Sequence, residues 1–351
     1  MMTDACNLSC PYCFANEFVN KDSNEITEEN FDKAVSFIIG NGTRETIGLI
    51  GGEPTVHSQF GHLLRKLIEN EQVKKIVVYT NGINVDRYIN ILSHPKVAIL
   101  INCNSPADIG EKNFERLRKN IDLLVNEHLC KYKLTLGINM YKPDFDYDYI
   151  VQLLKDFDFK SVRVSVTVPN VDDGRNSDAH AYFLKMKPRV IEFFKTLLES
   201  GIVPFFDCNK IPSCLLSEDE VAMFKQYAED PKTKEGVMKS NISNTKVRCS
   251  PVIDILQDLT AVRCFGLSLY TRQPIENFKT IDELNDFYLN SIDAYACNTA
   301  YSAKCIDCAS RKNLQCMGGC IAFKIGNIQK MQAKAEELMK STVNNGNKYG
   351  D

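Results

Sequence analysis

The first 205 residues alternate short apolar, β-branched runs with longer stretches whose apolar residues recur every three to four positions. This alternation predicts parallel strands joined by helices that cross over in the right-handed sense. A truncated strand just before Cys6 would give six β/α repeats, which favours an α/β fold with an open, partial barrel over a closed one. The other strands are predicted at 47–50, 75–80, 97–103, 133–140 and 161–168, with helices at about 27–40, 58–71, 84–93, 111–128 and 146–156.

The second half of the chain has a different pattern. Helices are predicted at 179–200, 218–229 and 280–293, a short strand at 203–207, a polar loop at 231–245, a β-hairpin at 249–269 and a last helix at 327–343. We therefore predict four parts: a partial barrel over 1–205, a bridging segment over 206–248, a cysteine-rich domain over 249–326, and a helix and tail over 327–351.

Charge and composition exclude several classes of protein. The 351 residues include 42 Lys and Arg against 45 Asp and Glu, which gives a net charge of −3. This near-neutral balance argues against a nucleic-acid partner. We find no apolar run near the roughly 18 residues of a membrane span, so no membrane partner is expected. The first ten residues lack the features of a secretory signal, and a cytoplasmic location is expected.

The 14 cysteines are the unusual part of the composition. Three lie at Cys6, Cys10 and Cys13, and nine others fall between Cys208 and Cys320. Clustered thiols in a reducing compartment indicate metal ligands or redox groups rather than a disulfide framework.

The N-terminal triplet follows the first predicted strand with the spacing C-x3-C-x2-C. Three thiolates on a short loop can hold three irons of a 4Fe–4S cluster and leave the fourth iron open for a ligand. A structural zinc site is the alternative, but it requires a fourth Cys or His, and none lies nearby in the sequence.

The triplet, with Tyr12 before its last cysteine, resembles the signature of the radical S-adenosylmethionine (SAM) superfamily. Gly51-Gly52-Glu53-Pro54 follows the next strand, where that superfamily carries a Gly-Gly-Glu motif. The two glycines would let the backbone approach a ligand closely, and Glu53 offers a carboxylate to an amine.

The resemblance implies that the three cysteines hold a 4Fe–4S cluster whose open iron binds SAM. Tyr12 would lie near the adenine, and Gly51, Gly52 and Glu53 near the methionine amine. Asn102 would contact the ribose; a turn residue at the end of a strand is the alternative. Thr80-Asn81-Gly82 is interpreted as a turn beside the site. An electron from a donor such as flavodoxin or ferredoxin would then release a 5′-deoxyadenosyl radical from SAM.

The C-terminal cysteines resemble the SPASM domain, which holds auxiliary 4Fe–4S clusters in radical SAM enzymes that modify peptides. The resemblance implies that Cys249, Cys264 and Cys320 share one auxiliary cluster, with Cys208 or Cys214 as a fourth ligand. Cys305, Cys308 and Cys316 would share the other, either with Cys297 or with one iron open to a substrate thiolate. A zinc site formed by Cys297, Cys305, Cys308 and Cys316 and a twitch domain with one cluster are the alternatives.

This chain departs from the SPASM pattern at three points. Leu259 stands where the pattern has Gly, seven residues rather than five precede Cys316, and no cysteine follows Cys320. These departures leave the number of auxiliary clusters open.

The leading hypothesis is a radical SAM enzyme that forms a thioether or carbon cross-link in a ribosomal peptide. Only five residues precede Cys6 in this sequence, so either a separate protein recognises a leader peptide, the substrate is short, or the true start lies upstream. The alternatives are a dehydrogenase of a small metabolite, a peptide epimerase, in which Cys208 or Cys214 would donate a hydrogen atom, and a non-catalytic zinc-binding protein. A sulfatase-maturing enzyme is disfavoured because Phe265 follows Cys264 where those relatives have an acidic residue.

Overall fold

A computed structural model of the chain supplies the coordinates. It describes residues 1–13, 15, 19–20, 22–167, 179–209, 211–240, 249, 252–267, 271–298, 302–313, 316–317, 319–322 and 324. The predicted helix at 327–343 and the part at 327–351 lie outside the described residues.

Six parallel strands form the main sheet and lie side by side in chain order. They are β1 (Thr46–Leu49), β2 (Lys75–Thr80), β3 (Val97–Asn102), β4 (Leu134–Met140), β5 (Ser161–Val166) and β6 (Val203–Cys208). Helices follow the strands, and the sheet is open rather than closed into a barrel. The predicted α/β partial-barrel fold is therefore confirmed.

The helices around the sheet begin at the polar residues that the sequence provides. Thr27 and Ser217 accept hydrogen bonds from backbone amides in the first turns of the helices Glu28–Ile39 and Glu218–Glu229, and Glu220 completes a capping box with Ser217. The helices of this part are α1 (Glu28–Ile39), α2 (Phe60–Glu69), α3 (Ile89–Leu92), α4 (Pro106–Ile109), α5 (Glu111–Asp122), α6 (Asp148–Asp156), α7 (Ala179–Glu199), α8 (Glu218–Glu229) and α9 (Lys234–Ser240). The last of them lies where the sequence predicted a loop.

The two faces of the sheet differ in polarity. One face carries fully buried aliphatic residues such as Ile99, Leu136 and Val164, which pack in the main core. The opposite face, called the inner face below, carries Asn102 of β3, Gly137 of β4 and Arg163 of β5, which lie opposite one another in the strand register. Because Asn102 and Arg163 are only half-buried, the inner face is the side on which polar groups can meet a ligand.

The set of six strands differs from the prediction at the first strand, whereas the strand predicted at 203–207 is confirmed. Residues before Cys6 do not form a strand of the sheet, although Met2 donates to the carbonyl of Ile50 at 2.6 Å. The sixth strand is β6, so the predicted domain boundary at residue 205 falls inside a strand. β5 pairs with β6 although α7 separates the two strands along the chain. A contact between residues so far apart in sequence leaves no local sequence signal.

The cysteine-rich part contains a small antiparallel sheet and short helices. The sheet orders β7 (Asp254–Ile255), β8 (Thr260–Val262) and β9 (Gln273–Pro274), and the helices are α10 (Ile281–Tyr288), α11 (Ala294–Asn298) and α12 (Ala309–Lys312). The Tyr288 hydroxyl donates to the carbonyls of Ala261 and Thr271 at 2.8 and 2.7 Å. This buried tyrosine joins α10 to the small sheet.

Candidate functional site

The N-terminal cysteine loop lies at the carboxyl end of β1. The amide of Cys6 donates to Asn20 Oδ1 at 2.8 Å, and the amide of Cys13 donates to the Cys10 carbonyl at 3.2 Å. The three thiols are half-buried, and Cys10 interacts electrostatically with both of the others. Burial raises the pKa of Cys6 to about 11 and that of Cys10 to about 12. The loop therefore presents three thiols to one small space.

The Gly-Gly-Glu glycines allow a close approach, but to the chain's own N-terminal segment. A Cβ on Gly52 would lie 2.3 Å from the carbonyl oxygen of Ala5, and one on Gly51 would lie 2.6 Å from that of Thr3. The amide of Gly52 donates to the Thr3 carbonyl at 2.8 Å. In the described contacts these glycines let the cysteine loop lie against β1, and their approach to a ligand stays a prediction.

Glu53 is buried and accepts hydrogen bonds from two neighbouring strand ends. Its Oε1 accepts from the Thr55 and Thr80 hydroxyls at 2.6 and 2.7 Å, and its Oε2 accepts from the Asn81 amide at 2.7 Å. Burial, which is the largest effect, raises the pKa of this carboxyl above its ordinary value. A buried carboxylate of this kind is stabilised when a cation binds beside it.

Thr80 and Asn81 thus belong to the site, whereas the sequence indicated only a turn there. The Asn81 side chain also donates to Asn7 Oδ1 at 2.7 Å, which connects the end of β2 to the cysteine loop. The signal for this role was the position of both residues at a strand end next to β1, where the carboxyl ends of parallel strands meet.

Tyr12 stacks beside Tyr141, with 4.7 Å between ring centroids. Its hydroxyl donates to Asn104 Oδ1, and the Cys10 thiol reaches the same oxygen at 3.7 Å. The Tyr12 hydroxyl also forms a hydrogen bond with Asn139 of β4. Tyr12 therefore joins the cysteine loop to the carboxyl ends of β3 and β4.

Asn102, the proposed ribose contact, lies in a polar row on the inner face. Arg163 Nη1 donates to Asn139 Oδ1 at 2.7 Å and to Asn102 Oδ1 at 3.4 Å. The arginine reaches Asn102 across β4 because Gly137 lies between the two, where a Cβ would lie 2.9 Å from Arg163 Cδ. Asn139 accepts a hydrogen bond from Arg163 and forms another with Tyr12, so it connects the guanidinium to the cysteine loop.

Four cysteines of the C-terminal half approach one another in what we call the inner thiol group: Cys208, Cys249, Cys264 and Cys320. The side chains of Cys249 and Cys320 share a hydrogen bond, and Cys320 also interacts electrostatically with Cys208 and Cys264. The sequence grouped Cys249, Cys264 and Cys320, and the structure brings these three together.

A second set, the outer thiol group, consists of Cys214, Cys305, Cys308 and Cys316. Cys214 interacts electrostatically with each of the other three, and Cys305 interacts with Cys308 and Cys316. Cys297 belongs to α11, but its side chain lies outside the described residues.

A buried ion pair adjoins the inner thiol group. Arg263 donates to Asp293 through Nη2 at 2.6 Å and through Nε at 3.1 Å, and both side chains are less than a tenth exposed. The hydrogen bond from Cys320 lowers the pKa of Cys249 to about 7, and the Arg263 charge acts in the same direction. The same hydrogen bond raises the pKa of Cys320, and burial raises the pKa of Cys264 to about 12, so the thiolate form is favoured at Cys249 and disfavoured at the other two.

The described residues lack two features. No set of three His, Cys, Asp or Glu side chains there converges on the position of a single metal ion. No described helix combines the length and apolar character that crossing a membrane requires.

Comparison with known proteins identifies the N-terminal part. The family model of the radical SAM superfamily matches residues 1–157. Residues 1–157 form a radical SAM domain. The superfamily implies a 4Fe–4S cluster and SAM. The N-terminal cysteine loop fits such a cluster, because Cys6, Cys10 and Cys13 present three thiols together beside the buried carboxyl of Glu53.

Curated relatives of this radical SAM chain carry the name GTP 3′,8-cyclase. The protein from Synechocystis sp. is 28% identical over 130 residues, 35% of this chain and 39% of the relative. The one from Alkaliphilus oremlandii is 29% identical over 159 residues, 42% of this chain and 49% of the relative. The matched segments thus span less than half the length of these two relatives.

Solved structures of Streptococcus suis SuiB share the fold. SuiB bound to SAM superposes with a TM-score of 0.56 at 17% identity and covers 91% of this chain and 71% of SuiB. SuiB bound to its precursor peptide SuiA gives a TM-score of 0.57 at 16% identity. The likeness extends beyond the radical SAM domain into the cysteine-rich part, since it covers nine-tenths of the chain.

Proposed function

We propose that the chain cleaves SAM reductively and abstracts a hydrogen atom from a peptide, in which it forms a thioether or carbon cross-link. The observation that carries this proposal is the meeting of the three-thiol loop, the buried Glu53 carboxyl and the half-buried inner face at one edge of the sheet. When bound, the cluster supplies an electron to the SAM sulfonium, and a 5′-deoxyadenosyl radical results.

Glu53 would bind the cationic amine of SAM. Its Oε1 already accepts from Thr55 and Thr80, whereas the described hydrogen bonds give Oε2 one donor, the Asn81 amide. An amine at Oε2 would supply the opposite charge that a buried carboxylate requires, and it would lower the pKa of Glu53.

Arg163, Asn102 and Tyr12 would bind the rest of SAM. A guanidinium pairs with a carboxylate through parallel N–H donors, so Arg163 is suited to a carboxylate of SAM or of the substrate. The Asn102 amide can donate to a ribose hydroxyl, and the Tyr12 ring offers an aromatic surface to the adenine.

The inner face would admit a peptide. Its polar residues Asn102, Asn139 and Arg163 are half-buried, which leaves part of each side chain accessible. The structural likeness to SuiB, which has been solved with its precursor peptide, supports a peptide substrate. We further propose a small electron carrier such as flavodoxin or ferredoxin as the donor, and a separate protein that recognises a leader peptide.

A purine nucleotide is the second candidate substrate. The curated relatives favour it by name, but their matches to this chain cover 35% and 42% of its residues. Because the shared part holds the SAM chemistry, the relatives favour the reaction type more strongly than the substrate.

The first experiment tests SAM cleavage. Protein reconstituted with iron and sulfide under anaerobic conditions should convert SAM to 5′-deoxyadenosine when a reductant is added. Cys10→Ala should abolish this product because one corner of the cluster loses its ligand. Cys130→Ala is the matched control, since its buried thiol donates to the His128 carbonyl at 3.2 Å. Equal cleavage by both variants would contradict the cluster assignment.

The second experiment identifies the substrate. Short peptides encoded beside the gene should be co-expressed with the enzyme and examined by mass spectrometry. A cross-link removes two hydrogen atoms, whereas epimerisation leaves the mass unchanged. Deuterium transfer from a labelled peptide into 5′-deoxyadenosine would support the peptide, and transfer from labelled GTP would overturn it.

A further inference from the structure

Asn104 lies two residues beyond the end of β3 and is buried, with 2% of its surface exposed. Its side chain contacts two members of the N-terminal cysteine loop, Cys10 and Tyr12. We propose that Asn104 is a positioning residue: it donates a hydrogen bond to the Cys10 sulfur once iron is bound and thereby raises the reduction potential of the N-terminal cluster. Since the proposed function supplies this cluster, the role of Asn104 rests on that function, but not on the identity of the substrate.

Three hydrogen bonds define the orientation of the Asn104 amide. Its Oδ1 accepts from the Tyr12 hydroxyl and, at 3.7 Å, from the Cys10 thiol, whereas its Nδ2 donates to the Asn102 carbonyl at 3.4 Å. The amide oxygen thus faces the cysteine loop while Cys10 still carries its proton. The bond from Nδ2 is longer than the usual N–H···O range, so it holds the amide only weakly in this orientation.

Iron binding changes what Asn104 can do at Cys10. The thiol gives up its proton when its sulfur binds iron, and the sulfur can then only accept a hydrogen bond. A side-chain amide that turns by half a revolution exchanges its oxygen and its nitrogen, so Nδ2 would donate to the Cys10 sulfur. Because Asn104 is buried, water competes little for this donor. The turn gives up the long bond to the Asn102 carbonyl.

Tyr12 opposes this turn. Its hydroxyl donates to Asn104 Oδ1 and forms a second hydrogen bond with Asn139, and its ring stacks beside Tyr141 with 4.7 Å between centroids. These contacts hold the Tyr12 oxygen next to the Asn104 amide. With the amide turned, Nδ2 would face that oxygen, and the Tyr12 proton would be available to a bound ligand. The Tyr12 hydroxyl and the Cys10 sulfur therefore favour opposite orientations of one amide.

A hydrogen bond to a ligand sulfur changes the reduction potential of an iron–sulfur cluster. Reduction adds one electron, which an external reductant supplies, and it therefore adds negative charge next to Cys10. An N–H donor directed at the Cys10 sulfur stabilises the reduced form more than the oxidised form, which raises the potential. Loss of this donor should lower the ratio of reduced to oxidised cluster about tenfold at a fixed solution potential, which is about 59 mV for one electron.

Redox titration of the reconstituted full chain, followed by electron paramagnetic resonance, tests the role of Asn104. The signal of the N-terminal cluster is recognised by its change when SAM is added. Asn104→Leu should lower the potential of that signal, and Asn104→Asp should lower it further because the carboxylate adds negative charge. Asn104→Ser keeps a hydroxyl donor and should lie between the Leu variant and the unaltered protein. Asn126→Asp adds the same charge beside the amino end of β4, away from the site, and should leave the potential unchanged.

Tyr12→Phe gives a measurement of opposite sign that leaves Asn104 in place. Without the hydroxyl that holds Oδ1, the amide should turn more fully toward Cys10, and the potential should rise. In an Asn104→Leu background the same change should have no effect on the potential, because the hydroxyl acts through Asn104. A merely structural role of Asn104 predicts a different result, namely less cluster per chain with an unchanged potential.

Two results would overturn the role of Asn104: equal potentials in Asn104→Leu and the unaltered protein, or an equal effect of Tyr12→Phe in both backgrounds. If either is found while the protein cleaves SAM, the inference fails and the proposed function stands. If the potentials follow the stated order but the protein cleaves no SAM, the proposed function fails and the inference stands. If no reconstituted cluster responds to SAM, both fail.

Discussion

The Thr80 hydroxyl donates a 2.7 Å hydrogen bond to Glu53, which ties the end of β2 to the motif that follows β1. The same hydroxyl accepts from the Gly82 amide at 3.0 Å. One side chain thus fixes both the carboxylate and the turn that follows β2. Sequence spacing could suggest that these motifs are neighbours. Only the fold shows that the Thr80 hydroxyl contacts both of them.

Thr80→Val should therefore weaken both stability and SAM binding. Loss of a hydrogen bond to a buried carboxylate is expected to lower the free energy of unfolding by about 2 kcal/mol. Thr80→Ser keeps the hydroxyl and should lose less than about 1 kcal/mol, the contribution of one methyl group. Urea unfolding and calorimetric titration with SAM measure the two effects. If the Val and Ser variants match in both measurements, the shared hydroxyl has no role.

Gly137→Ala should displace Arg163 from the inner face. The added Cβ would meet Arg163 Cδ at 2.9 Å, so the arginine must shift and its hydrogen bond to Asn139 must lengthen. We expect a loss of about 1 kcal/mol in unfolding free energy and a weaker affinity for SAM or substrate. In an Arg163→Ala background the same change should cost less than about 0.5 kcal/mol, because the contact is gone. An unchanged cost in that background would show that the two residues are not coupled.

The buried pair of Arg263 and Asp293 gives a third prediction. Asp293→Ala leaves a buried guanidinium without its carboxylate and should lower the free energy of unfolding by about 3–5 kcal/mol. The double variant Arg263→Met with Asp293→Leu removes both charges and should lie close to the unaltered protein. Thermal unfolding of the reconstituted enzyme checks both. A double variant as unstable as Asp293→Ala would mean that shape rather than charge matters at this position.

Local signals were sufficient for most elements of the sheet. The prediction of 75–80 as a strand agrees with Lys75–Thr80, and that of 218–229 with Glu218–Glu229, where the capping box marks the start. The helix Lys234–Ser240 was missed because its sequence is polar and contains a glycine. Gly236 is required there, since a Cβ would lie 2.7 Å from Val203 Cγ2 of β6. Packing against the sheet, which no local pattern encodes, stabilises this helix.

Leu259 shows why a departure from a family pattern need not change the backbone. The SPASM pattern has Gly at this position, and Leu259 adopts a φ of +63°, in the left-handed region that favours glycine. The hairpin between β7 and β8 requires this conformation, since the Leu256 amide donates to the Thr260 carbonyl at 2.7 Å. The leucine side chain packs in the small core beneath the hairpin, which offsets the strain.

The candidate site was predictable in its chemistry but not in its connections. Cysteine spacing and the Gly-Gly-Glu motif pointed to the loop and the carboxylate, because those residues are close together in the sequence. Cys208 and Cys214 stayed ambiguous, since the cysteines that they approach lie between 41 and 112 residues away along the chain. Only the pairing of β6 with β5 determines where the two thiols lie.

The position of Cys208 at the end of β6 also constrains the order of biogenesis. The inner thiol group draws one member from the last strand of the sheet and three from the chain beyond residue 248. Its full set of donors exists only once the β5–α7–β6 crossover has docked, so metallation would follow completion of the sheet. A metal that arrives earlier would meet an incomplete set of thiols.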